Sequence, residues 1–151
     1  MAGQPVCMIE VADANAVYYY HHDGLGSIVA LSDAAGDTVQ TYEYSVYGEV
    51  AVEDANHPNP YMFAGVRYDI EIGLYYNRAR YYNPFTGRFL QTDPIGYGDG
   101  MNWYAYCGNN PVALADPSGM ATGFEKNQEP PLFGIIRDSH LLAEKRGRPL
   151  L

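Results

Sequence analysis

RYDIEIGLYYN, residues 67–77, and YYNPFTGRFLQ, residues 81–91, share one frame: a Tyr-Asp or Tyr-Asn pair, a few variable residues, then a glycine. Gly73 and Gly87 stand fourteen residues apart. An even repeat keeps equivalent side chains on the same face of a sheet, so two such units stack as similar hairpins without exchanging inside for outside. The glycines supply positive φ at the end of each turn.

The same texture extends upstream. From Val17 to about Phe89, short aromatic or β-branched runs alternate with Gly, Asp and Asn, the pattern of strands joined by tight turns. VYYYHHDGLGSIVALSDAAGDTVQTYEYSVYGEVAV predicts at least three strands, with turns at DGLG (23–26) and DAAGD (33–37), and TVQTYEY alternates at period two. After Gln91 the chain is rich in Gly and Asn. One helical turn is expected near MNWYAY and another around NPVAL, where Asn110 caps and Pro111 starts it. The expected fold is therefore all-β, built of antiparallel tyrosine-rich hairpins, with one or two short helices near the C-terminal end of the core.

Composition agrees with that reading. Leu, Ile, Val and Phe together number only 32 of 151 residues, a level at which burying a core becomes difficult. Fifteen tyrosines fill the deficit. Tyrosine suits half-buried pleated surfaces and needs a partner for its hydroxyl, which favours sheet with polar networks over a helical bundle. Eighteen acidic against nine basic side chains give a net charge of −9, which repels a phosphate backbone; nucleic acid is not the expected partner. The opening MAGQPVCMIE has neither the basic nor the apolar region of a signal peptide, and no run reaches the length of a membrane span. Cys7 and Cys107 lack metal-type spacing and are expected as free thiols. His21 and His22 are adjacent and point to opposite faces of a strand, so no metal is expected there.

Two Asp-Pro pairs, QTDPIGY (91–97) and ALADPSGM (113–120), precede a change of composition. Beyond Met120 the tyrosines stop, and residues 121–151 read as a linker with a Pro pair followed by a short amphipathic segment, too short for an independent core. Asp before Pro is a common turn opener, because the carboxylate caps nearby backbone N–H groups while Pro fixes φ. A pair of working carboxylates is the other reading.

YYYHHDGLGS, YSVYGEV, GLYYNRARYYNPFTGRFLQTDPIG and NWYAYCGNNPVALADPSG, in that order, resemble the repeat-associated core of the Rhs/YD-repeat proteins of bacterial polymorphic toxins. The resemblance covers residues 17–120. It divides the chain into an N-terminal lead-in (1–16), the core (17–120) and a variable C-terminal tail (121–151) expected to be a truncated or degenerate effector region. In that family tyrosine-rich hairpins wind into a hollow β-shell, the core closes it, and a variable toxin follows. The implied partners are thus an upstream YD-repeat shell and a C-terminal toxin, with secretion or cell-surface exposure as the family context. Without the upstream repeats, exposed strand edges invite association with other chains or copies.

The resemblance also implies self-cleavage after the DPxG-apolar motif by two aspartates and a supporting arginine. Carried over, DPSGM puts the cut between Met120 and Ala121, the catalytic aspartates at Asp116 and Asp93, and the arginine at Arg80. The residue before the cut is more usually Leu, and Asn83 stands where the family often has Asp; unbranched Met suits a site made for Leu. No cofactor is expected. The competing reading is a non-catalytic structural or carbohydrate-contacting β-module, in which the Asp-Pro pairs are turns and nothing more.

Overall fold

A computed structural model describes residues 4–11, 13–53, 57 and 59–120. The tail 121–151, including Ala121, and the first three residues of the lead-in lie outside the described residues. Among the described residues, nine strands form two antiparallel sheets. The first holds β1 (Cys7–Glu10), β2 (Ala16–His22), β3 (Ile28–Ser32), β4 (Thr38–Tyr44) and β5 (Val50–Glu53) in sequential order. The second holds β6 (Arg67–Asp69), β7 (Leu74–Asn77), β8 (Arg80–Asn83) and β9 (Arg88–Phe89), again sequentially. The predicted fold class holds, and the two repeated hairpins lie side by side in one sheet. Gly73 and Gly87 have φ of 69° and 65°, as their turns require.

Turn chemistry explains the order of the strands. Asp23 Oδ1 accepts the Leu25 and Ser27 amides, and Asp33 Oδ1 accepts those of Ala35 and Asp37, so each side chain closes the loop before the next strand. Asn83 Oδ1 does the same for Phe85 and Thr86.

Among the described residues, helical structure is limited to 3-10 turns at Phe63–Gly65, Gly96–Asp99 and Cys107–Asn109. The two helices expected near MNWYAY and NPVAL are single turns, marked by Ala105 N–H to the Asn102 carbonyl and by Ala113 and Leu114 N–H to the Asn110 carbonyl. Gly-rich and Asn-rich flanks offer the backbone local side-chain partners that compete with helix propagation, as Asn102 Oδ1 does by accepting the Tyr104 amide. The lead-in also contributes more than expected: β1 pairs with β2 from Cys7↔Tyr19 to Glu10↔Ala16.

Tyrosine rings and one phenylalanine join the sheets. Tyr20, Ile28, Leu31 and Tyr42 face Tyr75, Tyr82, Phe89 and Tyr106 across a shared core in which Phe63 lies 5.8 Å from Tyr44 and 6.0 Å from Tyr75, centroid to centroid. The hydroxyls find main-chain acceptors: Tyr75 donates to the Gly48 carbonyl at 2.8 Å, Tyr82 to that of Tyr47 at 2.7 Å, and Tyr44 to that of Ile28 at 2.6 Å. The second sheet is thereby bolted to the β4–β5 turn. Gly48 permits the approach, since a Cβ there would sit 2.6 Å from the Phe63 ring. His21 bonds Ser32 Oγ, and His22 bonds the Gly26 and Pro5 carbonyls, so both serve the sheet. Cys7 and Cys107 are not joined to each other; Cys7 is exposed and Cys107 buried.

Candidate active site

Period two along the second hairpin pair sets the site. Tyr75 and Asn77 on β7 face inward, a two-residue turn follows, and Arg80 and Tyr82 on β8 face inward opposite them, with Asn77 in register with Arg80. Arg80 is 2% exposed, the largest fully buried side chain among the described residues. Its guanidinium lies over the Phe89 ring, 3.7 Å from the centroid, which gives the cation an aromatic floor.

Around that floor the polar contacts are nearly complete. Nη1 meets Asp93 Oδ2 at 3.0 Å and the Trp103 carbonyl at 3.1 Å. Nη2 meets Asp116 Oδ2 at 3.4 Å, and Nε donates to the Gly119 carbonyl at 2.6 Å. The carboxylates are 6% and 1% exposed. Since Nη1 and Nη2 sit on one planar carbon, the two Oδ2 atoms can be no farther apart than their two contacts plus the width of the guanidinium. The three residues singled out in the sequence, Asp93, Asp116 and Arg80, are therefore one buried cluster.

The two readings of the Asp-Pro pairs are not exclusive, because each aspartate uses a different oxygen for each job. Asp93 Oδ1 accepts the Ile95 amide at 2.9 Å and so shapes its turn. Asp116 Oδ1 accepts Ser118 Oγ at 2.8 Å and the Gly119 and Met120 amides at 2.9 and 3.3 Å. In both residues Oδ2 is left for Arg80. Asp23 and Asp33 make the same kind of turn, and among the described residues neither joins an ion pair.

Residues 116–120 are held against the β7–β8 turn by the main chain as well. Ala79 N–H donates to the Ser118 carbonyl, and Asn77 Nδ2 donates to the Asp116 carbonyl at 2.7 Å. Gly119, at φ 67°, packs so closely that a Cβ would lie 2.3 Å from the Asn77 carbonyl oxygen and 3.0 Å from Arg80 N. Asn77, Trp103 and Gly119 were not among the site residues expected from sequence. For Asn77 the signal was available: an amide at an inward position, directly across a two-residue turn from an inward arginine.

The family model described as Teneurin YD-shell matches residues 5–112. The chain belongs to the YD-shell family. Among curated YD-shell relatives, the tRNA nuclease WapA of Bacillus subtilis (strain 168) is 45% identical over 109 residues, covering 68% of this chain and 5% of WapA. The toxin protein Tse5 of Pseudomonas aeruginosa is 39% identical over 121 residues, covering 78% of this chain and 9% of Tse5. The crystal structure of TcdB2-TccC3 without its hypervariable C-terminal region superposes with a TM-score of 0.66 at 36% identity, covering 70% of this chain and 5% of that one. TcdB2-TccC3-Cdc42 gives 0.67 at 35% identity, covering 79% and 6%. The chain thus spans a small part of the length of these relatives, and it is a toxin-associated YD-shell segment of the Rhs/YD-repeat kind. The match starts at residue 5, in keeping with the strand found in the lead-in.

Proposed function

We propose that this YD-shell core cuts its own chain once, between Met120 and Ala121, with Asp93 and Asp116 as the acid–base pair and Arg80 as the cation that orients them. The observation that carries the reading is the single buried guanidinium that meets both carboxylates and also grips the Gly119 carbonyl, one residue before the bond. In such a pair one carboxyl group acts as the base in its ionised form and the other as the acid in its protonated form, with the Arg80 guanidinium between them.

The ionised member removes a proton from water as the water oxygen attacks the Met120 carbonyl carbon. The protonated member gives its proton to the Ala121 nitrogen as the C–N bond breaks, leaving a Met120 carboxyl group and a free Ala121 amine. Asp116 lies four residues before the bond, so tethering supplies the proximity that a protease acting on a separate substrate gains by binding. In the full-length protein the segment would close a shell built of upstream YD repeats and free whatever follows residue 120, an effector in the toxin context.

Intact-mass measurement of the full chain tests this. A product ending at Met120 is expected in the wild type and absent in Asp93→Asn and Asp116→Asn. An unbroken chain whose near-ultraviolet circular dichroism shows the packed tyrosine core overturns the proposal in favour of a purely structural module.

A further inference from the structure

Two buried side-chain atoms among the described residues have no hydrogen-bond partner: Asn77 Oδ1 and Trp103 Nε1. Both belong to residues bonded to the Arg80 cluster, Asn77 through the Asp116 carbonyl and Trp103 through its own carbonyl on Nη1. A buried acceptor left bare carries the full desolvation cost of that atom, so its retention beside a reactive cluster calls for a reason. Asn77 is 1% exposed, and its Nδ2 bond to Asp116 fixes the plane of the amide. Its Oδ1 is consequently a buried acceptor of fixed orientation, one amide away from the Asp116 main chain.

We propose that Asn77 is a positioning residue for the cleavage, resting on the self-cleavage reading. Its Nδ2 pins the Asp116 main chain, and with it the carboxylate. Its Oδ1 accepts one hydrogen of the hydrolytic water while the ionised aspartate takes the other, so that the oxygen lone pair faces the Met120 carbonyl carbon. A hydroxyl or a methyl at position 77 supplies one of these contacts or neither. An amide, or a carboxylic acid in its protonated form, offers a donor and an acceptor in one plane at that reach.

That symmetry gives a test that a merely structural role does not meet. The charged groups around position 77 are Arg80, its register partner on β8, Asp116 on the closing turn, and Asp93, joined to both through Arg80. In Asn77→Asp the new side chain donates to the Asp116 carbonyl only while protonated. The full chain, held uncleaved in urea, is diluted into buffers from about pH 4 to 8, spanning the carboxyl range, and the Met120 product is followed by mass. Near-ultraviolet circular dichroism confirms that each variant packs its core.

Misplacement of reacting groups by about an ångström costs about a hundredfold in rate. Asn77→Ala is expected to be slowed by about that factor at every pH, and Asn77→Asp by a similar factor at neutral pH with recovery toward wild type on acidification. Either variant cutting at the wild-type rate across the range overturns the inference. So does an Asn77→Asp deficit that does not change with pH. A folded wild-type chain that never cuts overturns the cleavage reading as well, which separates the two failures.

Discussion

Replacing Arg80 removes the cation that both Asp93 and Asp116 meet and leaves two carboxylates in the interior. Breaking one partner out of a buried ion pair costs about 3–5 kcal/mol, because the remaining charge is uncompensated. Arg80→Leu is therefore expected to lower the urea unfolding free energy by about that amount, as well as to abolish any cut. Arg80→Lys keeps the charge but has no planar fork for four acceptors, and should lie between the two. At this scale the sequence was informative where a motif pairs residues at fixed spacing, as in the two Asp-Pro sites. It was silent on Trp103, whose part in the cluster is played by a main-chain carbonyl that any residue type carries.

The strands owe their cohesion to tyrosines whose hydroxyls are kept neutral. Burial pushes the Tyr20 hydroxyl up to about 12, and burial likewise raises those of Tyr44, Tyr75, Tyr82 and Tyr106. A folded pKa above the unfolded value of about 10 means that the folded chain holds the proton more tightly. The stabilisation is complete below about pH 10 and is lost as pH climbs through about 12 and beyond. Alkaline titration should show the last part of the phenolate absorbance, that of the buried rings, rising together with loss of near-ultraviolet dichroism; conversion of every tyrosine to phenolate with the dichroism intact would contradict it. Hairpins were legible because Asx turns and period-two alternation are local, as at Asp23, Asp33 and Asn83. β1 escaped because CMIE has no flanking Gly turn and takes its register from β2, a contact that composition does not encode.

For the molecule as a whole, the second sheet has its margins covered by isolated bridges, Tyr61↔Arg67 at β6 and Arg88↔Ala105 at β9. The first sheet has no such bridge at β1 among the described residues, and Val6, Ile9 and Val11 there are 71%, 62% and 78% exposed. An uncovered apolar margin is a template for another strand. Sedimentation of the full chain is expected to shift to larger species with concentration, and Ile9→Lys to suppress that shift while leaving the core intact. Unchanged sedimentation in Ile9→Lys would place the contact elsewhere.

The fastening of residues 116–119 has one more consequence. Arg80 Nε on the Gly119 carbonyl, Asn77 on that of Asp116 and Ala79 on that of Ser118 all lie upstream of residue 120. Scission at 120–121 would sever none of them. The new chain terminus would stay seated as the intact polypeptide had it, so antibodies against the folded sheets would register no event. A balance that weighs single chains would reveal that one had become two.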